Sequence, residues 1–157
     1  MNSARVLWRS GALVLWMLAA ACARGELNPE PLAVGREACA FCRMTVSQAE
    51  FASQVVAPGE LPKFFDDLGC LGSYLTGTPE VPASAAVFVT DHRTKEWVRA
   101  EDAVFLRVPS LATPMSSHLV AHASADSRDA DSSLVGGTAV PLGEVVPPAW
   151  QASGGKR

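Results

Sequence analysis

The chain has 157 residues, with 13 basic and 16 acidic side chains and a formal net charge of −3. Its length fits one domain, or two small lobes that share a core, because domains most often contain about 100–150 residues. The excess of acidic side chains, without a basic stripe, argues against nucleic-acid binding.

The first 21 residues predict a secretory signal peptide. Arg5 and Arg9 give the start a positive charge, and residues 11–21 follow without a charged side chain. Secretory signals use an apolar core of roughly 7–15 residues, whereas a transmembrane helix needs about 20. Removal of the signal leaves 11 basic and 16 acidic side chains, so the mature chain carries a net charge of −5.

Cys22 follows directly after three alanines, which is typical of a bacterial lipoprotein processing site. The usual leucine three residues before the cysteine is replaced by Ala19, and Leu18 lies one position earlier. We predict a lipoprotein that is exported and acylated (diacylglyceryl and palmitate) on Cys22, with plain secretion as the alternative. Ala23, in place of an aspartate, predicts sorting to the periplasmic face of the outer membrane.

The segment after the lipid site is polar and contains two prolines, so residues 22–37 predict a lipid-anchored tether. Short strands are expected at residues 44–46 and 51–57, where apolar side chains alternate imperfectly. A turn at residues 58–60 follows the second strand.

A helix is predicted after Asp66, whose carboxylate is expected to cap its first turn. Leucines recur at helical spacing at positions 68, 71 and 75. Gly69 and Gly72 weaken such a helix by roughly 1 kcal/mol each, and their lack of side chains is expected to admit a closely packed neighbour.

The rest of the chain predicts five further strands, at residues 87–90, 96–98, 103–108, 119–121 and 138–140. A weakly helical segment at residues 124–134 lies before the last of them. The second half therefore loosely repeats the first, and one domain is expected at residues 38–146. A disordered tail is expected at residues 147–157.

Sulfur donors are concentrated in Cys39-x-x-Cys42-x-Met44. Thiolates and thioethers are soft donors that select Cu(I), whereas structural zinc commonly takes four cysteine or histidine ligands. A structural disulfide and a redox-active pair are the other interpretations that this spacing allows. If Cys22 is acylated, three thiols remain, and an odd number leaves at least one unpaired in an oxidising compartment.

Two further sulfur side chains are candidates with a weaker pattern. Cys70 lies on the predicted helix, where a single cysteine is more often a small core residue. Met115 follows Pro114 in a predicted loop, although packing is the more frequent role of a methionine. The three histidines are scattered along the sequence, and each is interpreted as structural or exposed.

In order and spacing, the chain resembles the NosL family over roughly residues 39–145. The elements that carry the resemblance, besides the lipoprotein-like start, are Cys39-x-x-Cys42-x-Met44, Phe65-Asp-Asp-Leu-Gly-Cys70, Tyr74, Val89-Thr-Asp91, Trp97, Ala103 and Thr113-Pro-Met115. The resemblance implies an α+β fold of two small strand–strand–helix–strand lobes, at about residues 38–100 and 101–146, similar to the accessory part of organomercurial lyase. It also implies an envelope copper chaperone that serves assembly of nitrous oxide reductase.

Carried over by position, the resemblance implies Cu(I) ligation by Cys42, Met44 and Met115. Cys39 and Cys70 are secondary candidates, since many relatives have them. The chain departs from the family after Pro114-Met115: relatives commonly show glycines and an aromatic-rich strand, whereas residues 116–122 here read Ser-Ser-His-Leu-Val-Ala-His. His118 is a possible additional nitrogen ligand of this variant.

These observations predict a copper chaperone and not an enzyme. Its expected partners are a copper-dependent client enzyme, for which nitrous oxide reductase is the candidate, the proteins that supply or transport its copper, and the membrane through the lipid. The alternatives are a thiol–disulfide oxidoreductase that uses Cys39 and Cys42, a lyase by analogy of fold, and a structural lipoprotein with a stapling disulfide.

Overall fold

The structure is a computed structural model that describes residues 26–78, 81–148 and 150. The predicted signal peptide and Cys22 lie outside the described residues, as does most of the predicted tail. Within the described part, no helix has the length and apolar character that a membrane crossing requires.

The first half forms an antiparallel sheet of four strands with a helix inserted between the second and third. The elements are β1 (Ser53–Val56), β2 (Lys63–Phe65), α1 (Leu68–Gly77), β3 (Ala86–Thr90) and β4 (Trp97–Arg99). The strands are arranged in the order β2-β1-β3-β4. Because β1 and β3 are buried along their whole length, they form the centre of this lobe.

The second half has three strands and a shorter helix. The elements are β5 (Val104–Arg107), β6 (Leu119–His122), α2 (Ala125–Asp129) and β7 (Thr138–Val140). The antiparallel sheet has the order β6-β5-β7. The α+β fold is thus confirmed, and both halves contain strand, strand, helix and strand in that order.

One hydrophobic core joins the two halves. Phe65 and Leu71 of the first half pack in the same buried cluster as Phe105 and Leu119 of the second. A parallel bridge between Asp91 and Ala121 also links the two sheets. The two lobes therefore share buried apolar surface, and a residue of one lobe can reach a site in the other.

Two glycines of α1, Gly69 and Gly72, admit close neighbours, as expected. A Cβ atom on Gly69 would lie 2.9 Å from the Cβ of Ser117, and one on Gly72 would lie 2.9 Å from the carbonyl oxygen of Val145. Both neighbours come from the second half. Alanine would not fit at either position without a shift, so the weaker helix propensity accompanies close packing between the halves.

Three local expectations need correction or addition. The strand expected at residues 44–46 is reduced to a single bridge between Ala38 and Thr45, because the chain turns tightly between them. The short strand β2 was not expected. Within the predicted tether, the backbone N–H and C=O of Glu30 pair with the Gln54 side chain at 2.9 and 3.0 Å, so this part lies against the first sheet.

Candidate metal centre

The Cys39–Met44 segment is a tight turn closed by its own backbone. The N–H of Cys39 donates to the C=O of Met44 at 2.7 Å, and the N–H of Arg43 donates to the C=O of Cys39 at 3.0 Å. Arg43 adopts a left-handed conformation with φ of 68°, which reverses the chain. The N–H of Ala40 donates to the C=O of Phe64, so the turn is fixed to β2.

The junction between β2 and α1 supplies the other side of the site. Two aspartates fill the two positions between Phe65, the last residue of β2, and Leu68, the first of α1. Cys70 lies in the first turn of α1 and is buried. A buried strand that leads into a helix thus holds a carboxylate and a thiol beside the cysteine turn.

Four donor groups meet at this place. The Sγ atoms of Cys39, Cys42 and Cys70 and a carboxylate oxygen of Asp66 all lie within 4.8 Å of one another. The Cys42 thiol donates to Asp66, with its sulfur 3.5 Å from both carboxylate oxygens. All three of these cysteines are unpaired. We call this group the thiol cluster.

The three thiols of the cluster differ in exposure. Cys39 and Cys70 have 0% and 2% of their surface exposed, whereas Cys42 is partly exposed. Two thiols are therefore fixed in the core, and the third lies where an incoming ion or a partner protein would make contact.

Burial sets the protonation of the two inner thiols. Removal from water raises the pKa of Cys39, and its hydrogen bond with Asp66 raises it further. The pKa of Cys70 is raised more strongly, first by burial and then by the nearby Cys39 and Asp66. Both groups are thus neutral thiols near pH 7 in the metal-free protein, and binding of a metal to their thiolates must release protons.

The two methionines lie at the surface. Met44 is 54% exposed and Met115 is 43% exposed. Met44 ends the cysteine turn, and the backbone N–H of Met115 donates a hydrogen bond to Asp67, the residue after Asp66. Neither methionine is needed as core filler, since both are too exposed to contribute much burial.

Asp67 attaches the Met115 loop to the start of α1. Its Oδ1 accepts the N–H of Gly69 at 2.6 Å. Its Oδ2 accepts the Thr113 hydroxyl at 2.7 Å and the N–H of Met115 at 2.9 Å. Burial alone would raise the pKa of Asp67, but hydrogen bonds from Ser117, Thr113 and these N–H groups together lower it. The second lobe is thus fixed beside the thiol cluster through one ionised carboxylate.

The prediction that Asp66 caps α1 is wrong. The cap is Asp67, which has an extended backbone and whose side-chain carboxylate accepts the free N–H of Gly69. Asp66 turns instead toward the thiols. Because either of two adjacent aspartates suits a helix start, the sequence alone gave no reason to place Asp66 in the site.

His118 does not join the thiol cluster. Its Nδ1 atom lies 2.7 Å from the C=O of Leu111, and its backbone N–H donates to the Thr113 hydroxyl. The ring thus helps to shape the loop that carries Met115. The other two histidines, His92 and His122, meet elsewhere in the structure.

The family model described as NosL matches residues 32–150, which is more than half of the chain. The match contains the cysteine turn, the aspartate pair, α1 and the Met115 loop. No curated protein matches the chain significantly.

Proposed function

Because this chain belongs to the NosL family, whose members are copper-binding accessory proteins, we propose that it is a Cu(I) chaperone. The observation that carries the proposal is the convergence of three unpaired thiols within 4.8 Å of one another. Thiolates are soft donors, which suit Cu(I) and also Zn(II), and the family assignment favours copper. Copper is here the cargo that the protein carries.

The ligands we propose are Cys39, Cys42 and Cys70, together with the thioethers of Met44 and Met115. The inner thiols provide tight binding, since burial keeps water from competing for the ion. The partly exposed Cys42 and the two exposed methionines provide the side from which a partner exchanges ligands. A neutral thioether is a weaker donor than a thiolate, which suits release.

Copper binding is coupled to the release of protons from the thiols. Cys39 and Cys70 hold their protons in the metal-free state because burial raises the pKa of both thiols. Copper binding replaces those protons, and delivery to a client returns them. The Asp66 carboxylate accepts a hydrogen bond from the Cys42 thiol, with 3.5 Å between the sulfur and each carboxylate oxygen.

The environment of Cys39 disfavours thiol–disulfide catalysis. An attacking cysteine in such enzymes has a lowered pKa, which provides thiolate at neutral pH. Burial raises the pKa of Cys39, and its Cys-x-x-Cys pair lies in a tight turn and not at the start of a helix. The structural-disulfide alternative requires a Cys39–Cys42 bridge, whereas the structure has both as free thiols.

For location and partners, we propose export, a lipid anchor on Cys22 and a site on the periplasmic face of the outer membrane. The support is the arrangement of basic start, short apolar run and alanines before Cys22. The proposed client is a copper enzyme, with nitrous oxide reductase as the candidate that the family suggests.

A competition experiment tests the function. The reduced mature protein, with Cys22→Ser to keep it in solution, is titrated with Cu(I) against a chromophoric Cu(I) chelator, with and without excess Zn(II). We expect one tightly bound Cu(I) that zinc does not displace, and no turnover of the protein's own. Displacement of Cu(I) by the excess zinc would contradict the proposal.

A further inference from the structure

A second group of ligand-type side chains lies at the junction of the two sheets. His92, His122 and Asp131 each offer a ligand atom, and these atoms lie within 4.8 Å of one another. Nδ1 of His92 is 2.7 Å and Nε2 of His122 is 3.1 Å from the same oxygen, Oδ2 of Asp131. We call this group the imidazole cluster.

The three side chains come from separate parts of the chain that the fold holds together. His92 follows β3, and its backbone N–H donates to the C=O of Ala121 at 2.8 Å. His122 is the last residue of β6, and Asp131 follows α2. His122 is fully buried and Asp131 is 8% exposed. The cluster is therefore positioned by backbone pairing and does not depend on mobile surface side chains.

A supporting layer orients the carboxylate. Oδ1 of Asp131 accepts the hydroxyl of Ser133 at 2.5 Å and its N–H at 3.2 Å, which leaves Oδ2 for the two imidazoles. These bonds keep the carboxylate ionised: burial alone would raise the pKa of Asp131, but hydrogen bonds from Ser133, His92 and His122 lower it. Hydrogen-bonded ligating carboxylates of this kind are usual around protein metal sites.

The adjacent turn is also fixed. The Asp91 carboxylate accepts the N–H groups of Arg93, Thr94 and Ala123 and the Ser127 hydroxyl, all within 2.9 Å. These bonds outweigh the effect of burial and lower the pKa of Asp91 to about 2. Asp91 thus ties the His92 turn to the start of α2, so both sides of the imidazole cluster share one support.

We propose that the imidazole cluster is a second metal site, which takes Zn(II). Two imidazoles and one carboxylate suit zinc, and the group has no sulfur donor to favour Cu(I). Tetrahedral zinc with bonds of about 2.0–2.1 Å separates adjacent ligand atoms by roughly 3.3 Å. The observed separations of 2.7 and 3.1 Å need to open by only a few tenths of an ångström. A fourth position remains for water at the His92 side, where 11% of the side chain is exposed.

The ring of His122 limits the affinity of this site. Its Nδ1 atom is buried and has no hydrogen-bond partner among the described residues. Zinc at Nε2 moves the ring proton to Nδ1, where no acceptor stabilises it. Loss of such an outer contact typically weakens metal binding by about 10–100-fold. We therefore expect zinc to bind here more weakly than at a site with complete outer contacts, and to be exchangeable.

Zinc uptake by the copper-loaded protein tests the site. The thiols are first filled with one equivalent of Cu(I), and zinc is then added and counted by elemental analysis after equilibrium dialysis. The unmodified sequence should take up one Zn(II), and X-ray absorption at the zinc edge should show imidazole and oxygen neighbours without sulfur. His92→Gln and Asp131→Asn should each weaken this uptake by more than about 100-fold, since both remove a direct ligand.

Asp129→Asn is the matched control, because it removes an exposed carboxylate of the same segment, one that pairs with Arg128 at 2.8 Å. It should bind zinc like the parent. No zinc uptake by the copper-loaded parent, equal uptake by Asp131→Asn, or sulfur around the zinc would each overturn the proposal and leave the cluster a structural hydrogen-bond network. The inference does not rest on the copper function: if Cu(I) fails to bind, the variants are compared in zinc alone, where His92→Gln and Asp131→Asn should each hold one equivalent fewer than the parent and Asp129→Asn.

Discussion

The two lobes place different chemistry at the same point of their topology, the junction between the second strand and the helix. In the first lobe, this junction carries Asp66 and Cys70, and a preceding turn adds two more thiols. In the second lobe, β6 ends with His122, and the segment after α2 adds Asp131. Each junction also receives a donor from a part of the chain outside its own strand–strand–helix–strand unit.

The topology that the two lobes share determines where a site can form, and the side chains at that point determine which ion fits. Both junctions combine a buried strand end with a capped helix, which fixes donors without exposing them. The first provides sulfur and the second provides nitrogen and oxygen, so their metal preferences are expected to be opposite. Topology alone would not distinguish them.

The largest expected effect comes from removal of one donor at each junction. Cys42→Ser should weaken Cu(I) binding by more than about 100-fold, because loss of a ligand costs more than the 10–100-fold of an outer contact. It should leave zinc uptake at the imidazole cluster unchanged. Cu(I) affinity is measured by chelator competition and zinc by dialysis.

The reciprocal variant is Asp131→Asn, which should keep Cu(I) affinity and lose zinc. If either substitution weakened both metals to the same extent, the two junctions would be one coupled site. The proposal that the two junctions bind their metals independently would then be wrong.

The next effect concerns the two helix caps. Ser124 caps α2 through one contact, the N–H of Ser127 at 3.1 Å, and Ser124→Ala should cost about 1 kcal/mol in the free energy of unfolding. Asp67 caps α1 and also binds Thr113 and Met115 of the other lobe. Asp67→Asn should lower the free energy of unfolding by about 2–3 kcal/mol, because the side-chain N–H₂ of asparagine would face N–H and O–H donors at a buried position. Urea unfolding of the metal-free proteins measures both values.

The pH dependence separates the two roles of Asp67. Its pKa in the folded protein lies below the ordinary value of 3.8, so its stabilisation is present above that value and is lost as the pH falls through the folded pKa. The stability difference between parent and Asp67→Asn should therefore shrink below pH 3.8. A constant difference at acidic pH would mean that the charge of Asp67 contributes nothing.

The architecture was largely predictable from the sequence because apolar periodicity and glycine spacing reflect local structure. The helix with Leu68, Leu71 and Leu75 and the central strands follow from those patterns, whereas the α+β class was implied by the resemblance to the NosL family. The short strand β2 did not, since three residues are too few for a periodic signal and its pairing with β1 decides it. The expected strand at residues 44–46 failed because hydrogen bonds within the turn compete with extended backbone.

The thiol cluster was predictable only in part, because its donors come from distant positions. Cys39 and Cys42 share a motif, but Cys70 reaches them only through the packing of α1, and Asp66 only because Asp67 takes the cap. The imidazole cluster was not foreseen. His92 and Asp131 are 39 residues apart, and they meet because the Asp91–Ala121 bridge joins two sheets. The one local signal was that His122 directly follows the strand predicted at residues 119–121.

A further prediction concerns the protons that the thiol cluster releases when copper binds. Because the pKa values of Cys39 and Cys70 are raised, Cu(I) must displace protons near neutrality. The apparent Cu(I) affinity should rise by about tenfold per pH unit for each proton released, measured by competition from pH 6 to pH 8. An affinity independent of pH would show that these thiols are not ligands.

The same shifts give a stability effect of defined sign in the metal-free protein. A thiol whose pKa is higher in the folded state contributes stability that is present below its ordinary value of 9.0 and is lost as the pH rises through the folded value. The melting temperature of the reduced protein should therefore fall above about pH 9, and less so in Cys70→Ala. A melting temperature that rose there would contradict the burial of these groups.

The smallest effect is expected at Met115, where the second lobe would contribute to the first junction. Its backbone is held by Asp67, beside Asp66, and 43% of the residue is exposed. Met115→Leu preserves the volume, so the free energy of unfolding should change by less than about 1.5 kcal/mol. Cu(I) affinity should fall by only about tenfold, because a neutral thioether adds little to the binding provided by three thiolates. This is the lower end of the loss of about 10–100-fold typical of contacts that support a metal site. X-ray absorption of the copper-loaded variant should show one sulfur neighbour fewer around copper.

Leu111→Met, the reverse exchange in the same loop, is the control and should change neither the Cu(I) affinity nor the sulfur count. If Met115→Leu keeps both the affinity and the sulfur count, Met115 is no ligand, and the first junction holds copper with residues of its own lobe and the cysteine turn.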